Sequence, residues 1–445
     1  MISGRIVSKS LSSNPDYVLL TPEGWVEVKQ ESSTGDLEIG TLVEADSVNA
    51  SEIKTIEDNK LEKQLSVFLE KNARPKTAGL LVEDEAMKKF VPSLEKAASF
   101  VAKRLLQLTP SLIRFNDDCD GISAGILVKS ALEKFIEEKK IPFHKRFLKN
   151  KQCNSAVYET SEAVEDASLM NAGEFGKKPL LFLLDFGANP ESIEGLEMAN
   201  ENFELIILDQ HESSEKAKAL AGDFLTPLEF GGTSSHTTGL VAFEFARRLS
   251  TAEERFALYS LESDKSVFWD KVKRKEPLVL DFLARQGLTL EKYEKTLENE
   301  MQYHYLEAVS KINAASEKAL RNAKAERIGS AVLVTVNLEG MVRKGEFPPK
   351  GKILNKVQEH FEEKDKLVAV VGFDSTSIQF RVSKPLHAKG FKATKVIGEV
   401  KKEFPQASGG GHEQAAAMRF DKDYAKMVLE KTLGFCRKEI EKTLG

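Results

Sequence analysis

Two unbroken apolar runs, Leu180–Leu184 and residues 205–208, limit the folds open to this chain more than any other feature of it. They are too short for core helices and lack the alternation of a half-exposed strand, so they read as strands of a parallel sheet covered by helices on both faces. Residues 112–115 read as the first strand of that sheet and residues 122–135 as the amphipathic helix after it, a βα unit. Each strand is followed at once by polar residues: Asn116-Asp117-Asp118-Cys119-Asp120-Gly121, then Asp185, then Asp209-Gln210-His211. In an open parallel sheet ligands bind beyond the carboxyl ends of the strands, so these clusters are expected to meet in space.

Asp118 and Asp120, two apart in a turn, can reach two neighbouring cations, and Asp185 can bridge them. Oxygen donors suit divalent Mn or Mg, and two such ions about 3.5–4 Å apart activate water for in-line displacement at phosphorus. Any single aspartate after a strand is more often a turn former or helix cap, the role assigned to Asp117. Three clusters in the same structural position are what favour a metal centre.

A length of 445 residues exceeds what one core usually serves, which predicts two or three domains. With 41% apolar and 30% charged residues the composition is that of an ordinary globular protein. No run of 18 apolar residues is present, and MISGRIVSKS lacks a cleavable leader, so a cytoplasmic protein without a membrane partner is expected. Cys119, Cys153 and Cys436 are too widely spaced for a zinc site or disulfide framework and are expected as thiols. A net charge of −5 argues against wrapping nucleic acid over the whole surface but not against a local basic groove. Lys145, Arg146, Lys149 and Lys151, and Arg343, Lys344, Lys350 and Lys352, are candidate phosphate contacts or solvated surface.

The expected fold class is α/β: a parallel-sheet core and a smaller C-terminal α/β domain joined by a helical connector, with a small N-terminal β-rich module. The boundaries read as 1–52 for the β-rich, OB-like module, 53–248 for the core with its leading helices, 249–326 for a helical subdomain and connector, and 327–445 for the C-terminal domain. The N-terminal module is either a packing domain or a single-strand binder. Near the C-terminus, Gly409, Gly410 and Gly411 permit positive φ and close backbone approach, so their amides can face a phosphate to which His412 donates; Arg381 is a candidate for the same face.

The order of IRFNDDCDGISAG, LLFLLDFG and LIILDQHES resembles that of the DHH superfamily of phosphoesterases, whose first motif commonly reads His-Asn-Asp-Ala-Asp-Gly or Asp-x-Asp-x-Asp-Gly. ASGGGHEQAAAMRF resembles the Gly-Gly-Gly-His signature of the DHH-associated domain, where a RecJ-like single-strand exonuclease carries it. The resemblance implies that Asp118, Asp120 and Asp185 carry catalytic metal, that Asp209 supports the third motif, that His211 faces substrate phosphate, and that Gly409 to His412 hold a neighbouring nucleotide. Asn116 stands where the first motif has His or Asp, and Gln210 where the third has its first His. Both remain candidate ligands, but a neutral amide offers one carbonyl oxygen and no charge, so weaker binding of a second cation is expected. A fourth aspartate is expected within PLEFGGTSSHTTGLVAFEFA, where Thr233 stands; His236 is a candidate substitute or a helix cap.

The implied activity is Mn- or Mg-dependent phosphodiester hydrolysis on single-stranded DNA or RNA, with replication or repair proteins as possible further partners. Two alternatives stay open: a catalytically inactive RecJ-like nucleic-acid-binding scaffold, and a phosphodiesterase for oligonucleotides or cyclic dinucleotides.

Overall fold

Alternating apolar and polar residues near the N-terminus build a small β-rich module whose core holds Ile6, Tyr17, Leu19, Val28, Val43 and Ala45. Its strands, β1 (Ile2–Lys9), β2 (Tyr17–Thr21), β3 (Gly24–Gln30), β4 (Leu42–Ala45), β5 (Asn49–Ala50) and β6 (Ile53–Thr55), lie in the order β5-β3-β2-β1-β4-β6. β5 pairs with β3 and β6 with β4. Because β5 and β6 are consecutive pieces of one segment, the sheet closes on itself. Trp25 on β3 donates its indole N–H to the Leu106 carbonyl (2.8 Å) and sets its ring edge-on to Phe68. It thereby seats the module on the helices Asn59–Asn72 and Glu85–Leu106.

The computed structural model describes residues 1–445 except 11–14, 32–36, 143–146, 154, 156, 172–175 and 344, so the expected phosphate contacts Lys145, Arg146 and Lys344 lie outside the described residues. The chain divides into two units, Met1–Met301 and Gln302–Gly445.

The first unit is built on a five-stranded sheet: β7 (Ser111–Phe115), β8 (Leu148–Gln152), β9 (Leu180–Leu184), β10 (Glu204–Leu208) and β11 (Asp223–Leu225), in the order β11-β10-β9-β7-β8. Every neighbouring pair is parallel. Every residue of β7 and β9 is buried, as strands covered on both faces require. Chain order reverses between β7 and β9, which opens a crevice at their carboxyl ends. Phe115 pairs with Leu184, and Leu184 with Leu208, so Asn116, Asp185 and Asp209 leave the sheet from one row. That row is held by the Asn116 N–H on the Leu184 carbonyl (3.1 Å) and the Asp185 N–H on the Leu208 carbonyl (2.9 Å). The helices Thr238–Leu249, Glu254–Ser263, Glu276–Leu283 and Leu290–Asn299 complete the unit.

The second unit holds a six-stranded mixed sheet, β12 (Ala323–Ile328), β13 (Ala331–Asn337), β14 (Val368–Phe373), β15 (Ser377–Val382), β16 (Ser408–His412) and β17 (Ala415–Arg419), in the order β12-β13-β14-β15-β17-β16. The helix Lys350–Glu362 covers one face, setting Ile353, Leu354 and Val357 on Val334, Val368 and Val370. The helices Ala393–Glu403 and Ala425–Leu444 cover the other, packing Val396, Val428 and Ile440 on Leu333, Val371 and Phe380. The fold is thus α/β, a parallel-sheet core and a smaller C-terminal α/β domain with a β-rich module at the N-terminus. No helix among the described residues is long and apolar enough to cross a membrane.

β7 carries one charged side chain, Arg114, and it is fully buried. Its guanidinium donates to Asp166 (2.6 Å), Glu162 (3.2 Å), Glu165 (3.1 Å) and the Gln152 carbonyl (3.1 Å), while Asp166 also accepts the Tyr158 hydroxyl (2.9 Å). This cluster ties the helix Thr160–Met170 to the strand that carries the first motif. Removing one partner strands the others as buried charges, so Arg114→Leu is expected to cost about 3–5 kcal/mol in chemical denaturation followed by circular dichroism. Glu165→Ala, at the open edge of the cluster, is expected to cost less than about 1 kcal/mol. Equal costs would show that the cluster does not act as a buried network.

Candidate metal centre

Each carboxylate at the carboxyl rim is placed by a local backbone device. Asp118 caps the helix Cys119–Glu138, its Oδ1 accepting the Gly121 N–H at 3.0 Å. One residue into that helix, Asp120 is buried and meets the first turn of the helix Thr238–Leu249. There the Thr238 and Gly239 N–H groups donate to its two oxygens (2.9 and 2.7 Å), which sets a carboxylate at a positive helix end. Residue 239 must be glycine for this approach: a Cβ would lie 2.4 Å from the Ser260 Cβ. Asp185 adopts a left-handed φ of 66°, uncommon without glycine, and accepts the Thr238 hydroxyl at 3.0 Å.

Two side-chain amides knit the acids together. Asn116 Nδ2 donates to Asp118 (3.2 Å) and Asp185 (3.0 Å). Gln210 Nε2 donates to Asp120 (3.0 Å) and Asp264 (2.7 Å). Beside them, His211 Nδ1 lies 2.8 Å from Asp209 Oδ1 and 3.7 Å from Asp185 Oδ1. One ligand atom each from Asp185, Asp209 and His211 falls within 4.8 Å of the others.

Crowding these acids away from water shifts their protonation. Burial and the charges of Asp264 and Asp281 push Asp118 up to about 7. Burial and Asp118 push Asp120 up to about 6, and protein packing and Asp120 push Asp264 up to about 7 although its surface stays partly open. Asp185 is raised well above the usual carboxylate range, by burial and then by Asp120, Asp118 and Asp209. Packing against its neighbours alone would lower His211, but its hydrogen bond to Asp209 and the surrounding acids outweigh that and raise it to about 9. At neutral pH the imidazole is therefore a cation among acids.

The donor set fits a hard divalent ion. Carboxylate oxygens and one imidazole converge at Asp185, Asp209 and His211, and the buried carbonyl oxygen of Gln210 accepts no hydrogen bond from any described residue. The residues that converge to hold an ion are thus Asp185, Asp209 and His211, with the carboxylates of Asp118, Asp120 and Asp264 beside them.

No family model matches the chain, and no curated protein matches its sequence. Solved structures do match its fold. The DHH domain of a protein described as a member of a family of ribosomal proteins superposes with a TM-score of 0.75 at 20% identity, over 86% of this chain and 98% of that one. RecJ of Thermus thermophilus, in complex with Mn2+, gives 0.50 at 16% identity, over 84% of this chain and 59% of the RecJ chain. The chain has the DHH, RecJ-like fold.

Against that DHH fold, the structure brings Asn116, Asp118, Asp120, Asp185, Asp209, Gln210 and His211 to one rim. It also adds a residue that the sequence reading missed. Asp264 ends the helix Glu254–Ser263 and follows no strand, so nothing local marks it. Thr233 is exposed, and His236 uses its ring nitrogens on Asp84 (2.7 Å) and Thr233 (3.1 Å). From the same segment it is Thr238 and Gly239 that reach the acids. Asp117 pairs with Arg285. Of the first basic patch, Lys149 donates to the Leu169 carbonyl and Lys151 pairs with Glu165.

In the second unit, Gly409, Gly410, Gly411 and His412 form the exposed edge strand β16. Gly409 and Gly411 have φ of 153° and 121°, and a Cβ at either would press on the β17 backbone. Arg381 projects toward the helix Lys350–Glu362, donating to Asn355 (2.6 Å) and to the Phe380 carbonyl (2.7 Å).

The shifts fix a pH dependence for the metal-free chain. Carboxyls raised toward 6 and 7 bind protons better folded than unfolded, so stability falls as pH climbs from about 4 to about 7. The His211 contribution, complete below about 6.5, is lost as pH rises through about 9. In chelator the chain is thus expected to melt lower at pH 8 than at pH 5.5, and added Mn2+ to raise the midpoint more at pH 8. A midpoint that is flat or rising in chelator across this interval would contradict the electrostatics described.

Proposed function

We propose that the chain is a metal-dependent phosphodiesterase acting on single-stranded nucleic acid, in the manner of a RecJ-like exonuclease in repair, replication or RNA turnover. The observation that carries this reading is the convergence of Asp118, Asp120, Asp185, Asp209 and Asp264 on one rim with His211 beside them. A divalent Mn or Mg there would supply charge against the phosphate and lower the pKa of an attacking water. The protein's own part is positional. Asp120 is fixed by two amides of a helix start and Asp185 by Thr238, so neither need reorganise when a phosphate arrives. His211 turns Nδ1 to Asp209, which leaves Nε2 on its exposed side to donate to a phosphoryl oxygen.

The second unit supports the choice of a strand over a small phosphate. Val382 N–H bonds the Gln414 carbonyl (2.9 Å) and carries the β15–β17 register on to Arg381 beside Ala415, while Ala415 pairs with His412. Arg381, Ala415 and His412 therefore share one row and one face, opposite the buried Phe380, Ala416 and Met418. Between the two cationic or polar ends the floor is Ala415, Ala417 and Gly410, small enough for a sugar–phosphate backbone to lie flat. Arg381 is held by an amide and a carbonyl rather than a carboxylate, so its charge stays available.

A second reading, a nucleic-acid-binding scaffold without chemistry, is favoured by Asn116 and Gln210, whose amides stand in the motif positions of stronger ligands. Hydrolysis separates the two. With Mn2+, the chain is expected to shorten end-labelled DNA or RNA strands. Asp185→Ala should abolish this, and His211→Ala should slow it on the order of 10²–10³-fold. Intact oligonucleotides with the parent chain, indistinguishable from Asp185→Ala, would remove the enzymatic reading.

A further inference from the structure

Gln210 is 3% exposed, and its two amide ends are treated very differently. The nitrogen bridges Asp120 (3.0 Å) and Asp264 (2.7 Å), whereas the oxygen is buried without a hydrogen-bond donor from any described residue. An unsatisfied buried carbonyl is unfavourable, so the side chain is held this way round by what its nitrogen gains. The gain is plain from the surroundings: turned over, the oxygen would face two carboxylates. The NH2 group lies where a cation between Asp120 and Asp264 would lie, and it does that cation's work of holding two acids together.

Asn116 repeats the arrangement across the rim. Its nitrogen bridges Asp118 (3.2 Å) and Asp185 (3.0 Å), and its oxygen accepts the Asp117 N–H at 2.9 Å, which fixes the nitrogen toward the acids. What remains without an amide bridge is the pair Asp185 Oδ1 and Asp209, with His211 Nδ1 beside them.

We infer that the centre takes a single divalent ion, at Asp185, Asp209 and His211, and that the Gln210 amide fills the position of a second. This deepens the metal-dependent reading above and rests on it for the presence of any ion. The protein replaces one of two cations by a neutral donor that makes two hydrogen bonds to carboxylates. An ion there would be held by carboxylate oxygens of Asp185 and Asp209 and by His211 Nδ1, with His211 Nε2 left on the exposed side to donate to substrate.

The test counts ions on the folded full-length chain. Equilibrium dialysis against Mn2+ should give about one equivalent for the parent, where a two-ion centre holds about two. Gln210→His removes the bridge and supplies a ring nitrogen, so it should raise the count to about two, and electron paramagnetic resonance should show the coupled spectrum of ions about 4 Å apart. Gln210→Glu serves the same purpose if the histidine variant does not fold. Asp209→Asn should lower the parent count toward zero. A parent binding two ions or none, or folded Gln210 variants that stay at one, would overturn the inference. The count also separates this idea from the activity: one ion with no oligonucleotide hydrolysis supports the inference and sinks the phosphodiesterase reading, while two ions with hydrolysis does the reverse.

Discussion

Carboxylates gathered in one protein crevice repel each other, and the groups that surround the rim offset part of that repulsion. The gathering is imposed by register. Phe115, Leu184 and Leu208 are paired across three parallel strands, so the residues after them cannot avoid one another. Close packing strips water from Asp118, Asp120 and Asp185, and the charge of Asp120 adds to partial packing at Asp264, which is why all four hold their protons more tightly than isolated carboxyls do. A sheet with this register and these residues needs either protons, hydrogen-bond donors or a cation at its rim.

The chain supplies backbone and hydroxyl donors from two places, the start of the helix Thr238–Leu249 and the turn that begins the helix Cys119–Glu138. A helix start turns two N–H groups onto Asp120, a capping turn gives Asp118 the Gly121 N–H, and Thr238 gives Asp185 a hydroxyl. None of these groups carries full charge, so they reduce the repulsion without cancelling it. His211 adds a formal positive charge in direct contact with Asp209, and it is also the exposed member of the cluster. The site is therefore rigid in its acids and open at its cation, an arrangement suited to exchanging a proton or a metal ion there without moving the frame.

Much of this was legible in the sequence because it depends on local signals. Continuous apolar runs announce buried parallel strands, and polar residues at their ends mark the rim; both follow from chain geometry within a few residues. Asp264 was not legible, because it ends a helix in a stretch read as connector, and only the packing of the helix Glu254–Ser263 beside the helix Cys119–Glu138 brings it to Gln210. The same holds for Thr238, which lies five residues beyond the threonine singled out and acts through a helix start. Nor can spacing say which end of an amide faces an acid. Asn116 and Gln210 look like weak ligands in sequence; their hydrogen bonds make them donors.

Basic residues teach the same lesson with the sign reversed. A run of lysines and arginines reads as a phosphate patch only until its partners are known. Lys151 is matched by Glu165 and Lys350 by Asp374, so their charge is already neutralised within the fold. Arg381 differs in kind. It is largely desolvated, which lowers its affinity for the proton, yet its named partners are an amide oxygen and a backbone carbonyl, neither carrying compensating charge. Holding a guanidinium in that state costs free energy that those two neutral partners only partly offset. Arg381 thus lies outside both runs of lysine and arginine, and its partner chemistry rather than charge density sets it apart.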